Sequence, residues 1–334
     1  VPSEHSKQSF LDTIYDKVQQ LPNGQQQVIG HLKLEKPIEV LFEGADENTY
    51  KPLKTEEIDS DFLNMINEKV TEKNAFLSVG QWTKGNYGED RKDIGRLIKG
   101  FFETFANKKE QPALILKTNG ATYSIMDREE CLSKINNIKS KFPSDWKLPN
   151  VYLLHGSLSD KEMNKLYNHS KIKAMVSLTH GEGFGRPLLE ATMVGLPVIA
   201  SAWSGHCDFL SQEDSLLLGG NLIKVPDSQL WENIIIKDSQ WFNVNETQAY
   251  KALNYCFKEI GEVKSRADNL MKINREKFTL NKMIEKLDEI VTEKTSHMST
   301  QVGIQLPKLK KVGSSDKPKI NLPKLNKVTS EATV

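Results

Sequence analysis

From residue 62 onward the apolar positions alternate between two spacings. Phe76-Leu-Ser-Val-Gly, Ala113-Leu-Ile-Leu-Lys, Val151-Tyr-Leu-Leu, Lys173-Ala-Met-Val-Ser-Leu and Leu196-Pro-Val-Ile-Ala are short apolar runs of the kind that fill strands buried on both faces. Between them lie segments with apolar residues three and four apart. The clearest is Ile94 to Phe105, with apolar residues at 94, 97, 98, 101, 102 and 105; others run over Arg128–Phe142, Asp160–Asn168 and Pro187–Val194, where Gly195 stands just past the helix end. Strands that alternate with helices predict an α/β chain built on a Rossmann-like parallel sheet. The stretch 244–295 reads as helices, with Leu253, Tyr255, Phe257 and Ile260, then Met283, Ile284, Leu287 and Ile290, as its apolar positions.

The two ends differ from this middle. Ser3 followed by Phe10, Leu11, Ile14, Tyr15 and Val18 predicts a short amphipathic helix, Leu21-Pro-Asn-Gly a turn, and Ile38-Glu-Val-Leu-Phe a strand. One helix and one strand cannot bury a core alone, so this segment needs something to pack on. At the other end, Ile304-Gln-Leu-Pro-Lys-Leu-Lys-Lys-Val returns at Ile320-Asn-Leu-Pro-Lys-Leu-Asn-Lys-Val. Proline and lysine at that density do not build a core. Residues 298–334 are expected to be a disordered basic tail whose two copies of a short motif dock a protein partner; an extension without a role is the plainer alternative.

Charge changes the picture only when the chain is divided. Residues 301–334 carry seven Lys against Asp316 and Glu331, while the other 300 residues carry 38 basic and 42 acidic groups. A mildly acidic body gives no ground for nucleic-acid binding. No apolar run approaches the roughly 18 residues that span a bilayer. Cys131, Cys207 and Cys256 lie too far apart for a disulfide scaffold or a CxxC-type zinc site. The chain opens on Val1-Pro-Ser-Glu-His, with no initiator Met and no basic and apolar leader, so no secretory signal is read and a cytoplasmic location is expected. The 334 residues suffice for about two domains.

The segment with candidate chemistry is His180-Gly-Glu-Gly-Phe-Gly-Arg-Pro-Leu-Leu-Glu-Ala, between a predicted strand and a predicted helix. That is the carboxyl end of a parallel strand, where open α/β sheets hold ligands. Gly181, Gly183 and Gly185 let the backbone come close to a ligand, and a helix starting at Pro187 offers free N–H groups to an anion such as phosphate. Glu182 and Glu190 flank the turn. Carboxylates suit hydroxyl groups rather than phosphates, so the pattern fits phosphate on the backbone and sugar hydroxyls on the two acids. A solvated surface pair is the plainer reading of the two glutamates. A dinucleotide fingerprint fails, because its third glycine would fall at Arg186 and no acid stands near 201.

The run Glu182-Gly-Phe-Gly-Arg-Pro-Leu-Leu-Glu190-Ala, continued by Gly195-Leu-Pro-Val-Ile-Ala, resembles the E-x7-E signature of the group 1 retaining glycosyltransferases of the GT-B fold. Phe76-Leu-Ser-Val-Gly-Gln-Trp with Arg91-Lys92, Leu116-Lys-Thr, and His155-Gly-Ser-Leu-Ser with Leu166-Tyr resemble further parts of that family, and the likeness covers roughly residues 1–295. The resemblance implies that Glu182 contacts donor-sugar hydroxyls and Glu190 the ribose hydroxyls of a nucleoside-diphosphate sugar. It implies that Lys92 and Arg91 neutralise the leaving diphosphate, which makes a metal or other cofactor unnecessary. Gly80, Gln81, Lys117, His180, Gly183, Phe184, Gly185, Arg186 and Leu188 complete the implied donor-binding set. Many relatives carry Arg where this chain has Gln81, with Arg91 or Lys117 as substitutes; His180 either donates to a phosphate or caps the strand. Asp59-Ser-Asp61 matches the DxD manganese motif of the other glycosyltransferase fold, but it follows an acidic helical start and reads as helix capping.

The resemblance also implies a layout. Residues 1–45 would be a remnant of an acceptor domain with its linker, 46–265 the donor-binding domain, and 266–297 helices that pack back toward the acceptor half. The chain is then part of a longer protein or is completed by a separate N-terminal partner. The expected activity is retaining, metal-independent transfer of a hexose to an unidentified carbohydrate, lipid or protein acceptor. A non-catalytic nucleotide-sugar or carbohydrate-binding module and a sugar-nucleotide epimerase are the alternatives.

Overall fold

The computed structural model describes residues 1–58, 61–85, 87–232 and 234–296. The tail motifs and the first two residues of Asp59-Ser-Asp61 lie outside them. The first helix is shorter than its apolar spacing predicts. α1 (Glu4–Asp12) starts at Ser3, whose hydroxyl accepts from Ser6 N–H, and stops at an extended Thr13. Ile14, Tyr15 and Val18 belong instead to β1 (Ile14–Gln20), which pairs antiparallel with β2 (Gln26–Lys33). The intervening Leu21-Pro-Asn-Gly is the predicted turn, closed by Leu21 N–H on Gln25 O with Gly24 at φ +81°. β-branched residues and a tight turn outweigh helical spacing here. Ile38–Phe42 is not a strand. Val1 lies along it, with Leu41 N–H on Val1 O and the Val1 amino group on Glu39 O, and among the described residues it joins none of the sheets.

Two helices, α2 (Thr55–Ile58) and α3 (Asp61–Lys69), lead into the alternating part. There follow β3 (Ala75–Val79), α4 (Ile94–Phe105), β4 (Ala113–Lys117), α5 (Ile125–Lys139), β5 (Val151–Leu154), α6 (Asp160–Tyr167), β6 (Ile172–Ser177), α7 (Arg186–Met193) and β7 (Val198–Ser201). Then come β8 (Leu216–Leu218), β9 (Gly220–Lys224) and β10 (Gln240–Val244), and finally α8 (Glu246–Lys258), α9 (Ile260–Lys277) and α10 (Leu280–Thr295). Six strands form one sheet in the order β5-β4-β3-β6-β7-β8, every neighbouring pair parallel. β9 and β10 make a separate antiparallel pair.

Successive strand residues face opposite sides of the sheet, and the core divides accordingly. Phe76, Leu114 and Val176 join the cluster under α4, α5 and α8; Leu77, Ile115 and Met175 join the cluster under α3, α6, α7 and part of α9. The strands are therefore apolar on both faces, which gives continuous rather than alternating runs. β3, β4 and β5 are laid down in one direction from the middle of the sheet and β6, β7 and β8 in the other. The reversal lies between β3 and β6, and such a reversal opens a crevice at the carboxyl ends of the two strands.

By packing, Val1–Glu293 form one unit and Lys294–Val334 another, of which residues 294–296 alone are described. Residues 1–45, 46–265 and 266–293 thus share one body of contacts. α10 has no buried residue; Leu280, Ile284, Leu287 and Val291 are exposed along it. Among the described residues no helix is long and apolar enough to cross a membrane.

Candidate functional site

The carboxyl ends of β3 and β6 are where such a crevice is expected, and the loops that follow those strands carry Arg91, Lys92 and Glu182. Glu182 receives one cation on each oxygen. Lys92 Nζ donates to Oε1 at 2.7 Å, and Arg91 Nη1 donates to Oε2 at 3.0 Å and to Gly181 O at 2.7 Å. Burial pushes the Glu182 carboxyl up, but Lys92 and Arg91 outweigh it and hold the group at about 2. Burial pulls the Lys92 ammonium down, against the support of Glu182. Gly80 closes in behind: a Cβ there would stand 2.9 Å from Lys92 Cε, so the lysine stem uses the space a side chain would fill.

The glycine turn is shaped for close backbone approach. Gly185 takes φ +98° and starts α7 with Pro187 in its first turn. The Leu188 amide is committed to Gly185 O at 2.9 Å. Pro187 has no N–H, so the amide of Arg186 is the first-turn group left to meet an anion. Phe184 turns its ring into the core against Phe209 at 5.0 Å and can offer a ligand only its backbone. Gly183 O accepts from Ser3 Oγ at 2.7 Å, which leans the first residues of the chain on the turn.

Glu190 sits farther along α7 in different surroundings. Tyr167 Oη donates to it at 3.1 Å and Arg186 lies 3.4 Å away, yet burial prevails and pushes its carboxyl up to about 7. The two glutamates are therefore electrically unlike. Glu182 is fixed as an anion, whereas Glu190 stands near its titration point.

The remaining predicted residues divide into two groups. Gln81 follows β3 and Lys117 ends β4, and both are engaged: Gln81 Nε2 donates to Gly120 O at 2.6 Å and Lys117 Nζ to Gly156 O at 2.6 Å. His180 is fully enclosed, with Nδ1 against Phe242 O at 2.7 Å and its ring stacked on Trp241. Its ring does not open on the crevice.

Three features of the site were not singled out from sequence. Ser204, at φ +81°, accepts the Glu182 N–H on its hydroxyl at 2.9 Å. Gly205 N–H donates to Glu182 O at 3.0 Å, and a Cβ at Gly205 would stand 2.1 Å from Gly183 O. Asp127 collects the N–H groups of Gly120 and Ala121 and meets His155 Nε2 at 2.8 Å; against burial, these contacts pull its carboxyl to about 2. It ties the loop after β4 to the loop after β5. The Ser-Gly pair after a strand was a legible signal; Asp127, in the first turn of an ordinary helix, was not.

Residues 144–238 match the family model described as glycosyl transferases group 1. No curated protein matches the chain. Among solved structures, HepE of Anabaena in complex with UDP and glucose is similar with a TM-score of 0.53 at 16% identity, covering 76% of this chain and 57% of that one. Sucrose-phosphate synthase from Thermosynechococcus elongatus gives 0.52 at 15%, covering 77% and 53%. A glycosyltransferase from Rickettsia africae gives 0.52 at 17%, covering 76% and 56%. The chain thus spans little more than half the length of these proteins, and at such identities the likeness establishes the fold.

Proposed function

Starting from a chain that carries group 1 glycosyltransferase sequence on the Rossmann-like fold of the GT-B enzymes, we propose that it is the donor-binding half of a retaining hexosyltransferase. The donor is a nucleoside-diphosphate sugar. The observation that carries this reading is the Glu182 carboxylate held between Lys92 and Arg91 at the β3–β6 crevice.

Those ion pairs are the resting arrangement of groups that a donor would rearrange. A diphosphate draws Lys92 and Arg91 to itself, and Glu182 is freed to accept hydroxyl protons of the sugar. Glu190 accepts from the ribose hydroxyls. The Arg186 amide at the start of α7 meets the distal phosphate. As the bond between the anomeric carbon and the phosphate oxygen breaks, negative charge grows on the diphosphate, and the two fixed cations stabilise it. The acceptor oxygen bonds to the anomeric carbon on the face the diphosphate leaves, and its proton passes to the departing phosphate oxygen. The chain's cations do at the diphosphate what a divalent metal does elsewhere, so transfer is metal-independent.

Calorimetric titration of the full chain with UDP-, GDP- and ADP-glucose tests the proposal. UDP-glucose comes first because one structure of HepE contains it. Binding of one of the three, weakened by about 1.5–3 kcal/mol in Glu190→Ala, is expected. Folded protein that binds none of them defeats the reading.

A further inference from the structure

His180 is where three parts of the crevice wall meet. Its main-chain N–H donates to Arg91 O at 2.8 Å, and its carbonyl accepts from Phe242 N–H at 3.0 Å. Its ring lies 4.1 Å from that of Trp241 with the planes 11° apart. Nδ1 is 2.7 Å from Phe242 O. A carbonyl oxygen only accepts, so Nδ1 carries the proton. Among the described residues Nε2 is buried with no hydrogen bond of normal geometry, 3.8 Å from Asp93 Oδ2, and the Gly88 main chain also faces the ring.

Asp93 mirrors this situation. It follows Lys92 directly, is wholly buried, and among the described residues neither carboxylate oxygen makes a hydrogen bond of normal geometry. Its backbone is held left-handed at φ 52°, a strained setting for a residue with a side chain. Arg96 Nη1 lies 3.3 Å from Oδ2, but its other N–H groups serve Glu246 and Val244 O. Asp93 Oδ2 and the ring nitrogen are both acceptors and stand 3.8 Å apart with one cation, Arg96, beside the carboxylate; a proton between them satisfies both.

We propose that Asp93 and His180 share one proton and so clasp the loop bearing Arg91 and Lys92 to the loop bearing Glu182, which makes both of them positioning residues for the diphosphate. The clasp stands on geometry alone; its consequence for the diphosphate rests on the donor-site reading above. At 3.8 Å the gap is about 1 Å wider than a hydrogen bond, a distance that a small approach of the two loops closes. The charged and titratable groups around it agree with a proton on the carboxyl side. Burial pushes Asp93 up to about 8; Arg96 from α4 opposes, while Asp90 beside it and Glu246 from α8 add to the rise. Tyr87 also faces Asp93. Burial, helped by Arg96, pulls the His180 ring down against the main-chain contacts of Phe242 and Gly88, so it is neutral and acts as the acceptor.

The test uses the full chain with nitrogen-15 histidine and two variants at each residue. In the unaltered protein the Nε2 resonance of His180 is expected to be shifted from that of a bare ring nitrogen, and Asp93→Ala is expected to return it there. For the nucleoside diphosphate that binds best among UDP, GDP and ADP, Asp93→Ala and His180→Phe are expected to weaken affinity about tenfold. Asp93→Asn, whose amide can donate to Nε2, is expected to recover most of that loss, as is His180→Gln. Thermal melts identify variants that fail to fold; if Asp93→Ala does, the contrast between Asp93→Asn and His180→Phe decides. An Nε2 resonance indifferent to Asp93→Ala, or equal affinities in Asp93→Ala and Asp93→Asn, overturns the clasp. Absence of binding by the unaltered protein overturns the donor reading instead, and the Nε2 resonance then decides the clasp by itself.

Discussion

Lys92 Nζ and Glu182 Oε1 stand 2.7 Å apart across 90 positions of sequence, each delivered by one of the two adjacent central strands where strand order reverses. The contact is largely buried, with 12% and 8% of the two side chains exposed. Its worth depends on pH. Glu182 titrates at about 2 rather than its ordinary 4.5. The stability it contributes is therefore complete above about 4.5 and is lost as pH falls toward 2. Glu182→Gln is expected to lower stability by about 3 kcal/mol at pH 7, with the difference shrinking on acidification. Urea unfolding of both proteins at pH 7 and pH 3 measures this; equal differences at the two pH values contradict it.

Glu190 predicts the opposite sign. Its value of about 7 lies above the ordinary 4.5, so the fold favours its neutral form. The contribution is complete below about 4.5 and is lost as pH rises through 7. Glu190→Gln is expected to gain up to about 3 kcal/mol of stability at pH 8.5 while weakening nucleotide binding. Melts at pH 5 and pH 8.5, with calorimetry at the higher pH, separate the two effects.

The same titration bears on affinity. If ionised Glu190 accepts the ribose hydroxyls, nucleotide-diphosphate affinity rises by up to about tenfold between pH 6 and pH 8. Calorimetry across that range shows whether it does, and Glu190→Gln is expected to flatten the profile.

Gly205→Ala tests the support of the turn. The added methyl group meets Gly183 O, a backbone atom, at 2.1 Å, so it cannot be accommodated by a side-chain swing. A loss of about 2–4 kcal/mol is expected, together with weaker nucleotide binding, because Gly205 and Ser204 both hold the main chain of Glu182. Denaturant unfolding and calorimetry read the two.

Much of this architecture was legible because burial wrote it twice. Ile94–Phe105 and Ala113–Lys117 match their predicted bounds, since helix α4 presents one apolar stripe and β4 is buried along its whole length. The hairpin was not legible. Every position of β1 is exposed, so no apolar alternation marks it and the helical spacing of Ile14 and Val18 is accidental. Glu182 could be named from sequence because it lies in the glycine turn after a buried strand, whereas Lys92 and Arg91 were named through the family resemblance, since they lie more than ten residues past the end of β3. The seat of His180 could not, because its partners Trp241 and Phe242 arrive some 60 residues later on a strand of five residues. Asp93 is invisible for a related reason: its buried carboxylate faces His180, 87 positions further along the chain.

The order β5-β4-β3-β6-β7-β8 has an evolutionary corollary. A recess created by the path of the chain does not depend on which side chains border it. Substitutions in the segments after β3 and β4 can alter what is recognised, while the six strands inherit their packing unchanged. Divergence in such a protein should therefore gather at the rim, with the scaffold beneath keeping its apolar runs even where overall likeness has fallen to the level seen between this chain and HepE.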